Sequence, residues 1–273
     1  MYKIIVLDLD GTLTNSQKKI TEKTKNLLLT IQKQGIIVVL ASGRPTYGII
    51  PLAKELELEK YGGYILSFNG AKIINCKTNE TVYNKTIPQE LIPILLDEAK
   101  KNNVNILGYK NEKIIAGNGV NKYSKYEGTV NNMDVIETND FINELTEPSN
   151  KCLITGEPEI LLKLQEKLRN ELGNKLNIYR SESFFLEIMT LNIDKAFSLN
   201  ELLKKLNIDK KYMICIGDGF NDIPMIKFAG LGVAMENAKQ EVKNIADFIT
   251  KSNDEDGVAY VIEKFIIEKN KNK

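Results

Sequence analysis

Apolar and polar residues follow two different patterns along the chain. Residues 4–7, 36–41 and 64–68 form short, almost unbroken apolar runs rich in β-branched side chains, which is typical of strands buried on both faces of a parallel sheet. Between these runs, residues 21–34 and 45–58 carry apolar side chains at helical spacing. This order predicts a strand–helix–strand–helix–strand unit whose parallel strands are joined by right-handed crossovers.

The pattern changes near Val82 and returns near Thr190. Within this segment we predict helices over residues 88–101 and 158–172 and strands over residues 106–109, 114–116, 151–155, 175–180 and 184–189, while residues 122–147 are polar and match no element. Afterwards we predict helices ending at residue 206 and over 224–229, 239–246 and 257–267, with strands over 212–216, 231–234 and 248–250. The expected fold is an α/β core of residues 1–81 and 190–273, interrupted by an inserted α+β domain of residues 82–189.

Composition excludes several classes of function. The formal net charge of +1 gives no global field to attract nucleic acid or a membrane surface, and no apolar run reaches the roughly 20 residues that span a bilayer. The three cysteines, Cys76, Cys152 and Cys215, are far apart, which indicates reduced thiols and a cytoplasmic location. The chain contains no histidine, so histidine phosphatases, Ser-His-Asp hydrolysis and His-ligated zinc are excluded.

Two carboxylates follow the first apolar run, in the sequence Asp8-Leu9-Asp10-Gly11-Thr12. In an extended chain Asp8 and Asp10 point to the same side, at the carboxyl end of a strand, where open α/β sheets bind ligands. Two nearby carboxylates repel unless a cation lies between them, and Mg²⁺ prefers carboxylate and phosphate oxygens. Aspartate is also a covalent nucleophile toward phosphorus. The structural alternative is an ordinary Asp-Gly turn after a strand.

Two further strand ends carry polar motifs. Ser42 and Gly43 follow the second strand just before a helix, where a hydroxyl, free backbone N–H groups and the helix dipole favour a phosphate; the alternative is a serine that only caps the helix. Asn69 and Gly70 follow the third strand and predict a hairpin turn at the same edge of the sheet.

A second acidic cluster, Gly217-Asp218-Gly219-Phe220-Asn221-Asp222, follows the buried strand at residues 212–216. If the two acidic strand ends are neighbours, four carboxylates meet a single lysine, Lys195, and the local formal charge is −3. At an effective dielectric constant of about 20, each like-charge contact at about 4 Å costs roughly 4 kcal/mol, so a divalent cation is the simplest compensation. The alternative is a pair of acidic surface turns.

Taken together and in this order, the motifs at Asp8–Thr12, Ser42–Pro45, Lys195 and Gly217–Asp222 resemble those of the haloacid dehalogenase superfamily. The resemblance spans the whole chain and is greatest to the Cof-type sugar phosphatases, in which a large cap domain lies between the second and third motifs. It implies a Rossmann-like parallel sheet with strand order 3-2-1-4-5, covered by a cap that closes as a lid. One position departs from the family pattern, because Lys195 is followed by Ala196 where the family usually has glycine.

The resemblance also implies roles for individual residues. Asp8 would attack phosphorus, and Asp10 would protonate the leaving alcohol and then activate water. Mg²⁺ would be held by Asp8, the Asp10 backbone carbonyl and Asp218, with help from Asp222. Phosphate oxygens would be bound by Leu9, Ser42, Gly43, Lys195 and Asn221. Arg44, Asn69 and Glu187 are weaker candidates for contacting the substrate, and Arg44 and Glu187 are equally compatible with structural ion pairs.

We therefore expect a cytoplasmic, Mg²⁺-dependent phosphatase that acts on small phosphorylated metabolites such as sugar phosphates, without nucleic-acid or membrane partners. Two alternatives stay open. A phosphotransferase or phosphomutase would pass the same aspartyl phosphate to another sugar hydroxyl, and a regulatory protein would only be phosphorylated on Asp8. The substrate and the oligomeric state are not encoded in these motifs.

Overall fold

The computed structural model of the chain describes residues 1–145 and 147–268. Its strands are β1 (Ile4–Leu7), β2 (Ile37–Ala41), β3 (Tyr64–Ser67), β4 (Lys72–Asn75), β5 (Thr81–Asn84), β6 (Asn105–Lys110), β7 (Lys113–Gly117), β8 (Asp134–Thr138), β9 (Lys151–Thr155), β10 (Leu176–Glu182), β11 (Phe185–Thr190), β12 (Met213–Gly217), β13 (Leu231–Ala234) and β14 (Phe248–Ile249). Its α-helices are α1 (Glu22–Lys33), α2 (Thr46–Glu55), α3 (Leu58–Tyr61), α4 (Ile92–Lys101), α5 (Lys122–Asn131), α6 (Phe141–Glu144), α7 (Pro158–Leu172), α8 (Lys195–Leu206), α9 (Ile223–Phe228), α10 (Gln240–Lys243) and α11 (Gly257–Ile262).

The chain divides into two compact units, residues Met1–Tyr83 with Asp194–Lys273, and residues Asn84–Ile193. The domain limits expected from the sequence, residues 1–81 with 190–273 and residues 82–189, stay a prediction, and residues 269–273 of the expected core lie outside the described residues. The interpretation of the second unit as a cap stays a prediction.

The first unit is built on an eight-stranded sheet with the order β14-β13-β12-β1-β2-β3-β4-β5. Strands β3, β2, β1, β12 and β13 are parallel neighbours, so the predicted α/β class and the 3-2-1-4-5 order are confirmed. Leu7 pairs with both Ile216 and Leu40, which brings the carboxyl ends of β1, β12 and β2 to one edge. All residues of β1 and β12 are buried, as expected of a parallel sheet covered on both faces.

The second unit contains a six-stranded sheet with the order β10-β11-β9-β6-β7-β8, antiparallel except for the β7–β8 pair. Neighbouring residues of one strand point to opposite faces, so Ile106 belongs to the core formed with α4 and α7, whereas Leu107 belongs to a smaller cluster that includes Phe185. The predicted hairpin at residues 106–116 is confirmed as the antiparallel pair β6–β7.

Residues 122–147, which matched no element in the sequence, contain α5, β8 and α6. Helix α5 begins with a capping box between Asn121 and Ser124 and is mostly polar, so hydrophobic periodicity gave little signal. Strand β8 lies at the edge of its sheet and has no fully buried residue, which removes the alternation that marks a half-buried strand. Among the residues described, no helix has both the length and the apolar character that crossing a bilayer requires.

Candidate active site

The polar motifs meet where the parallel strands of the first unit end. Asp8 directly follows β1, and its backbone N–H donates to the carbonyl of Ile216 in β12 at 3.0 Å. Ser42 follows β2 and donates its N–H to Leu66 in β3 at 2.9 Å. Each strand end is thus hydrogen-bonded to its neighbour, so the turns that begin here are held in fixed register.

Lys195 is completely buried at the first position of α8 and joins the two acidic motifs. Its Nζ lies 2.6 Å from Asp8 Oδ1, 2.6 Å from Asp222 Oδ1 and 2.8 Å from the carbonyl oxygen of Ala41. Burial alone would lower the pKa of Lys195, but Asp222 and Asp8 raise it above its ordinary value, so the group stays an ammonium ion. The three acceptors match the three donors of this group.

The start of α8 explains how a lysine comes to be buried there. Asp194 caps the helix, because its side chain accepts the N–H of Phe197 at 2.7 Å. The buried positions of α8 follow the helical repeat and place Lys195 on the same face as Leu199 and Leu202. The prediction that Lys195 opens a helix is therefore confirmed, and the neighbouring Ala196 imposes no unusual backbone conformation.

Three carboxylates beside Lys195 form an arrangement that fits a divalent cation. Asp8, Asp218 and Asp222 each offer one oxygen, and these atoms all lie within 4.8 Å of one another. One ammonium ion against three carboxylates leaves a formal charge of −2. Burial, with Asp222 and Asp218, raises the pKa of Asp8 well above its usual range, and burial with Asp222 raises the pKa of Asp218 to about 6. Because the donors are hard oxygens and lack sufficient counter-charge, they suit Mg²⁺.

Two residues of the first motif accommodate the Asp218 side chain. Gly11 has a φ of +82°, and a Cβ at this position would lie 2.5 Å from Asp218 Oδ2. Thr12 donates its hydroxyl to Asp218 Oδ1 at 3.0 Å. Neither Gly11 nor Thr12 was among the predicted site residues, although both belong to the first acidic motif.

Asp222 is fixed by backbone donors as well as by Lys195. Its Oδ2 accepts the N–H groups of Asp218 at 3.0 Å and Gly219 at 2.9 Å, and its side chain is fully buried. A Cβ on Gly217 would lie 2.5 Å from the Cβ of Asp222, so the glycine allows this close approach. The turn Phe220–Asp222 then leads into α9.

Asp10 lies in a different electrostatic environment. Arg44 donates from Nε to Oδ2 at 2.8 Å and from Nη2 to Oδ1 at 2.6 Å, and Lys18 Nζ lies 2.8 Å from Oδ1. Burial tends to raise the pKa of Asp10, but hydrogen bonds and charge from Arg44 and Lys18 hold it below its ordinary value. Our expectation that Lys195 alone faces four carboxylates was therefore wrong, because two cations far from Lys195 in sequence fold onto Asp10.

The predicted phosphate-binding residues surround this edge. The side chain of Asn69 accepts a hydrogen bond from Asn221 Nδ2 at 3.1 Å and packs beside Gly43, where an added Cβ would lie 3.2 Å from Asn69 Oδ1. Ser42 Oγ accepts the N–H of Arg44 at 3.1 Å, and Pro45, not Ser42, is the N-cap of α2. Leu9 is fully buried, and its carbonyl accepts the N–H groups of Thr12 and Thr14.

Glu187 lies in β11 of the second unit and is 7% exposed. Its carboxylate lies 3.6 Å from Lys151 Nζ and accepts the hydroxyl of Tyr179 at 2.9 Å. These contacts agree with the structural ion pair that the sequence left open for Glu187.

Lys18 was not among the predicted site residues. Lysines are common in exposed turns, so nothing in the sequence indicated that this one contacts Asp10.

Comparison with known proteins places these motifs in a family. A sequence profile described as haloacid dehalogenase-like hydrolase matches residues 5–262. A haloacid dehalogenase-like hydrolase from Bacteroides thetaiotaomicron of known crystal structure is 49% identical with a TM-score of 0.95, covering 97% of this chain and 100% of that one. The 5-amino-6-(5-phospho-D-ribitylamino)uracil phosphatase YcsE of Bacillus subtilis is 31% identical over 265 residues, 97% of this chain and 96% of its own.

A more distant structure shares the fold. The sugar phosphatase BT4131, of subclass IIB of the superfamily, has a TM-score of 0.79 at 24% identity, covering 96% of this chain and 98% of that one. The family predicted from the motifs is thus confirmed. The chain belongs to the haloacid dehalogenase-like hydrolases and is a phosphatase of that superfamily.

Proposed function

We propose that this phosphatase hydrolyses small phosphate monoesters, such as sugar phosphates and related metabolites, through a phosphoryl group carried on Asp8, with Mg²⁺ as cofactor. The observation that carries the proposal is the buried arrangement of Lys195 between Asp8 and Asp222, with Asp218 close by. An ammonium ion held 2.6 Å from an aspartate orients that carboxylate and offers positive charge to a neighbouring phosphate.

In the proposed reaction, a carboxylate oxygen of Asp8 attacks phosphorus, and the bond from phosphorus to the substrate oxygen breaks. Asp10, which must be protonated at this step, gives that oxygen its proton and becomes a carboxylate. A water molecule then loses a proton to Asp10 and attacks phosphorus, the bond to Asp8 breaks, and inorganic phosphate leaves. Most of the remaining work is placement and charge neutralisation, for which we propose Leu9 N–H, Lys195 and the residues Ser42, Gly43 and Asn221.

Mg²⁺ would be held by the carboxylates of Asp8, Asp218 and Asp222 and the backbone carbonyl of Asp10. When bound, it neutralises negative charge on the phosphoryl group and on the acidic cluster. Asp218 would be held for this task by the hydrogen bond from Thr12, while Gly11 leaves room for its carboxylate.

The proposed substrate class comes from relatives and from the chemistry of the site. One relative is named as the phosphatase of a 5-phospho-D-ribityl compound, and a structure with the same fold is described as a sugar phosphatase. The second unit, residues Asn84–Ile193, would act as a lid that excludes water and contacts the leaving group. Its residues would then select among phosphorylated metabolites.

The three cysteines agree with a proposed cytoplasmic location. Cys76, Cys152 and Cys215 are all free thiols, and burial raises the pKa of both Cys76 and Cys152 to about 12. Thiols with a raised pKa are poor nucleophiles at neutral pH.

A panel of phosphorylated metabolites assayed with Mg²⁺ tests the function, with released phosphate and acid-stable phosphoprotein both measured. We expect release of phosphate, loss of that release with EDTA, and a phosphoryl group on the peptide containing Asp8. Transfer to a second sugar without net release would favour a phosphomutase. A stable phosphoprotein without turnover would favour a regulatory protein.

A further inference from the structure

Arg44 was a weak candidate for contacting substrate, but its side chain is already engaged by a carboxylate. Its Nε and Nη2 atoms bind the two oxygens of Asp10 at 2.8 and 2.6 Å, in the parallel fork geometry that fixes the plane of a carboxylate. The side chain of Arg44 is only 14% exposed. A guanidinium used in this way acts on substrate through Asp10.

The backbone and side chain of Arg44 are themselves anchored. Its Nη1 donates to the carbonyl of Gly48 in α2 at 3.4 Å, and its N–H donates to Ser42 Oγ at 3.1 Å. Its carbonyl accepts the N–H of Phe68 at 3.0 Å. Arg44 thus connects the turns that follow β1, β2 and β3, and little side-chain freedom remains to be lost when it orients Asp10.

The contacts of Asp10 are distributed unevenly between its two oxygens. An ionised carboxylate has about four lone-pair sites. Among the residues described, Oδ1 accepts from both Arg44 and Lys18, whereas Oδ2 accepts only from Arg44 Nε. The remaining lone pair therefore belongs to Oδ2.

We propose that Arg44 is a positioning residue, which holds the Asp10 carboxylate so that Oδ2 is the atom that gives a proton to the leaving alcohol and later takes one from water. This proposal rests on the proposed function, since it assumes that Asp10 is the acid and base of the reaction. Lys18 contributes by occupying Oδ1. Its side chain is 62% exposed, so solvent screens the pair and its contribution is smaller than that of Arg44.

The dependence on the leaving group tests this role. p-Nitrophenolate leaves without being protonated, whereas the alkoxide of a sugar phosphate needs an acid. For Arg44→Met we expect kcat/KM to fall about 10²-fold with the sugar phosphate that the wild type hydrolyses fastest, since general acid catalysis contributes about 10²–10⁴-fold. For p-nitrophenyl phosphate we expect a fall of less than about threefold, because kcat/KM reports only the steps up to phosphoryl transfer to Asp8.

Two further variants separate orientation from charge. Arg44→Lys keeps the positive charge but loses the fork, so we expect most of the selective loss to remain. Lys60→Met, which breaks an exposed pair with Glu57 instead, is the matched control, and we expect both substrates to stay within about threefold of wild type. Full activity of Arg44→Lys would overturn the proposal, because charge alone would then suffice.

The Asp10→Ala background gives the decisive comparison. A residue that acts only through Asp10 has nothing left to position there, so Arg44→Met should lower kcat/KM no further in this background. A further loss, or a rise in KM of equal size for both substrates, would overturn the proposal and assign Arg44 to the substrate. An equal fall in kcat/KM for both substrates, with a lowered melting temperature, would overturn it in favour of a structural role.

Failure of the proposed function has a different signature. If Asp8→Asn still hydrolysed both substrates, Asp8 would not carry the phosphoryl group and the mechanism on which the Arg44 proposal depends would fall with it. If Asp8→Asn is inactive and Arg44→Met lacks the leaving-group selectivity, only the role of Arg44 is rejected.

Discussion

Asp8 and Asp10 are two residues apart, yet they lie in opposite electrostatic environments. Asp8 shares one buried ammonium ion with Asp222 and lies near Asp218, so its carboxylate is short of positive charge. Asp10 has two cations of its own, the guanidinium of Arg44 and the ammonium ion of Lys18. The pKa of Asp8 is accordingly raised by burial and like charge, and the pKa of Asp10 is lowered by its cations despite burial.

The different surroundings of Asp8 and Asp10 show how two aspartates of one short motif can have different chemical roles. A carboxylate that lacks counter-charge attracts a cation. One held by the fork of an arginine keeps its orientation. Four experiments test how charge is compensated at this site and in the second unit.

The largest effect is expected from Asp8→Asn. Removing the proposed nucleophile should lower phosphatase activity by more than about 10⁴-fold, since the amide of asparagine is a poor nucleophile toward phosphorus. Released phosphate measures the change, and the free energy of unfolding checks that the fold survives. Asp209→Asn, at an exposed turn, is the control and should stay within about threefold of wild type. Substantial activity in Asp8→Asn would reject the assignment of the two environments.

Lys195→Met tests how strongly the Asp8 side depends on its single cation. Removing it leaves two buried carboxylates without their partner, which should lower the free energy of unfolding by about 3–5 kcal/mol in EDTA. Denaturant titration measures this, and added Mg²⁺ should restore part of the loss. Lys204→Met, which breaks an exposed pair with Glu201 on the same helix, should cost less than about 1 kcal/mol. Equal losses in the two variants would contradict the buried-pair argument.

The third test is the pH dependence of stabilisation by Mg²⁺. The pKa of Asp218 is raised to about 6 from an unfolded value of about 3.9, so its contribution to stability is present below about pH 4 and is lost as pH rises through 6. Mg²⁺ binds the ionised form and reverses that loss. The melting temperature should therefore rise more with Mg²⁺ at about pH 7.5 than at about pH 4.5. A rise of the same size at both pH values would count against the metal site.

The smallest effect is expected in the second unit, where Glu187 pairs with Lys151. Glu187→Gln should lower the free energy of unfolding by about 1–3 kcal/mol, since it removes charge from a buried pair while keeping a hydrogen-bond acceptor for Tyr179. Glu144→Gln, in an exposed pair with Lys110, is the control and should cost less than about 1 kcal/mol. A raised KM in Glu187→Gln without loss of stability would instead assign Glu187 to the substrate.

Much of the fold followed from local patterns in the sequence. The apolar runs of β1, β2, β3 and β12 and the repeats of α1 and α8 are encoded in neighbouring residues, because burial on both faces of a strand or on one face of a helix leaves a regular spacing. The segment at residues 122–147 escaped prediction because its helix is polar and its strand lies at an exposed edge. Neither element therefore shows the regular spacing of apolar residues on which the prediction of helices and strands depends.

The sequence by itself determined the family, the order of the parallel strands and the presence of acidic motifs at their carboxyl ends. Only the tertiary structure decided which cation each carboxylate receives, since Lys195 reaches Asp8 across 187 positions and Arg44 reaches Asp10 across 34. Hydrophobic spacing is a property of a short stretch of chain. The partner of a charged side chain depends on distances in the folded protein, and these cannot be read from the spacing of residues along the chain.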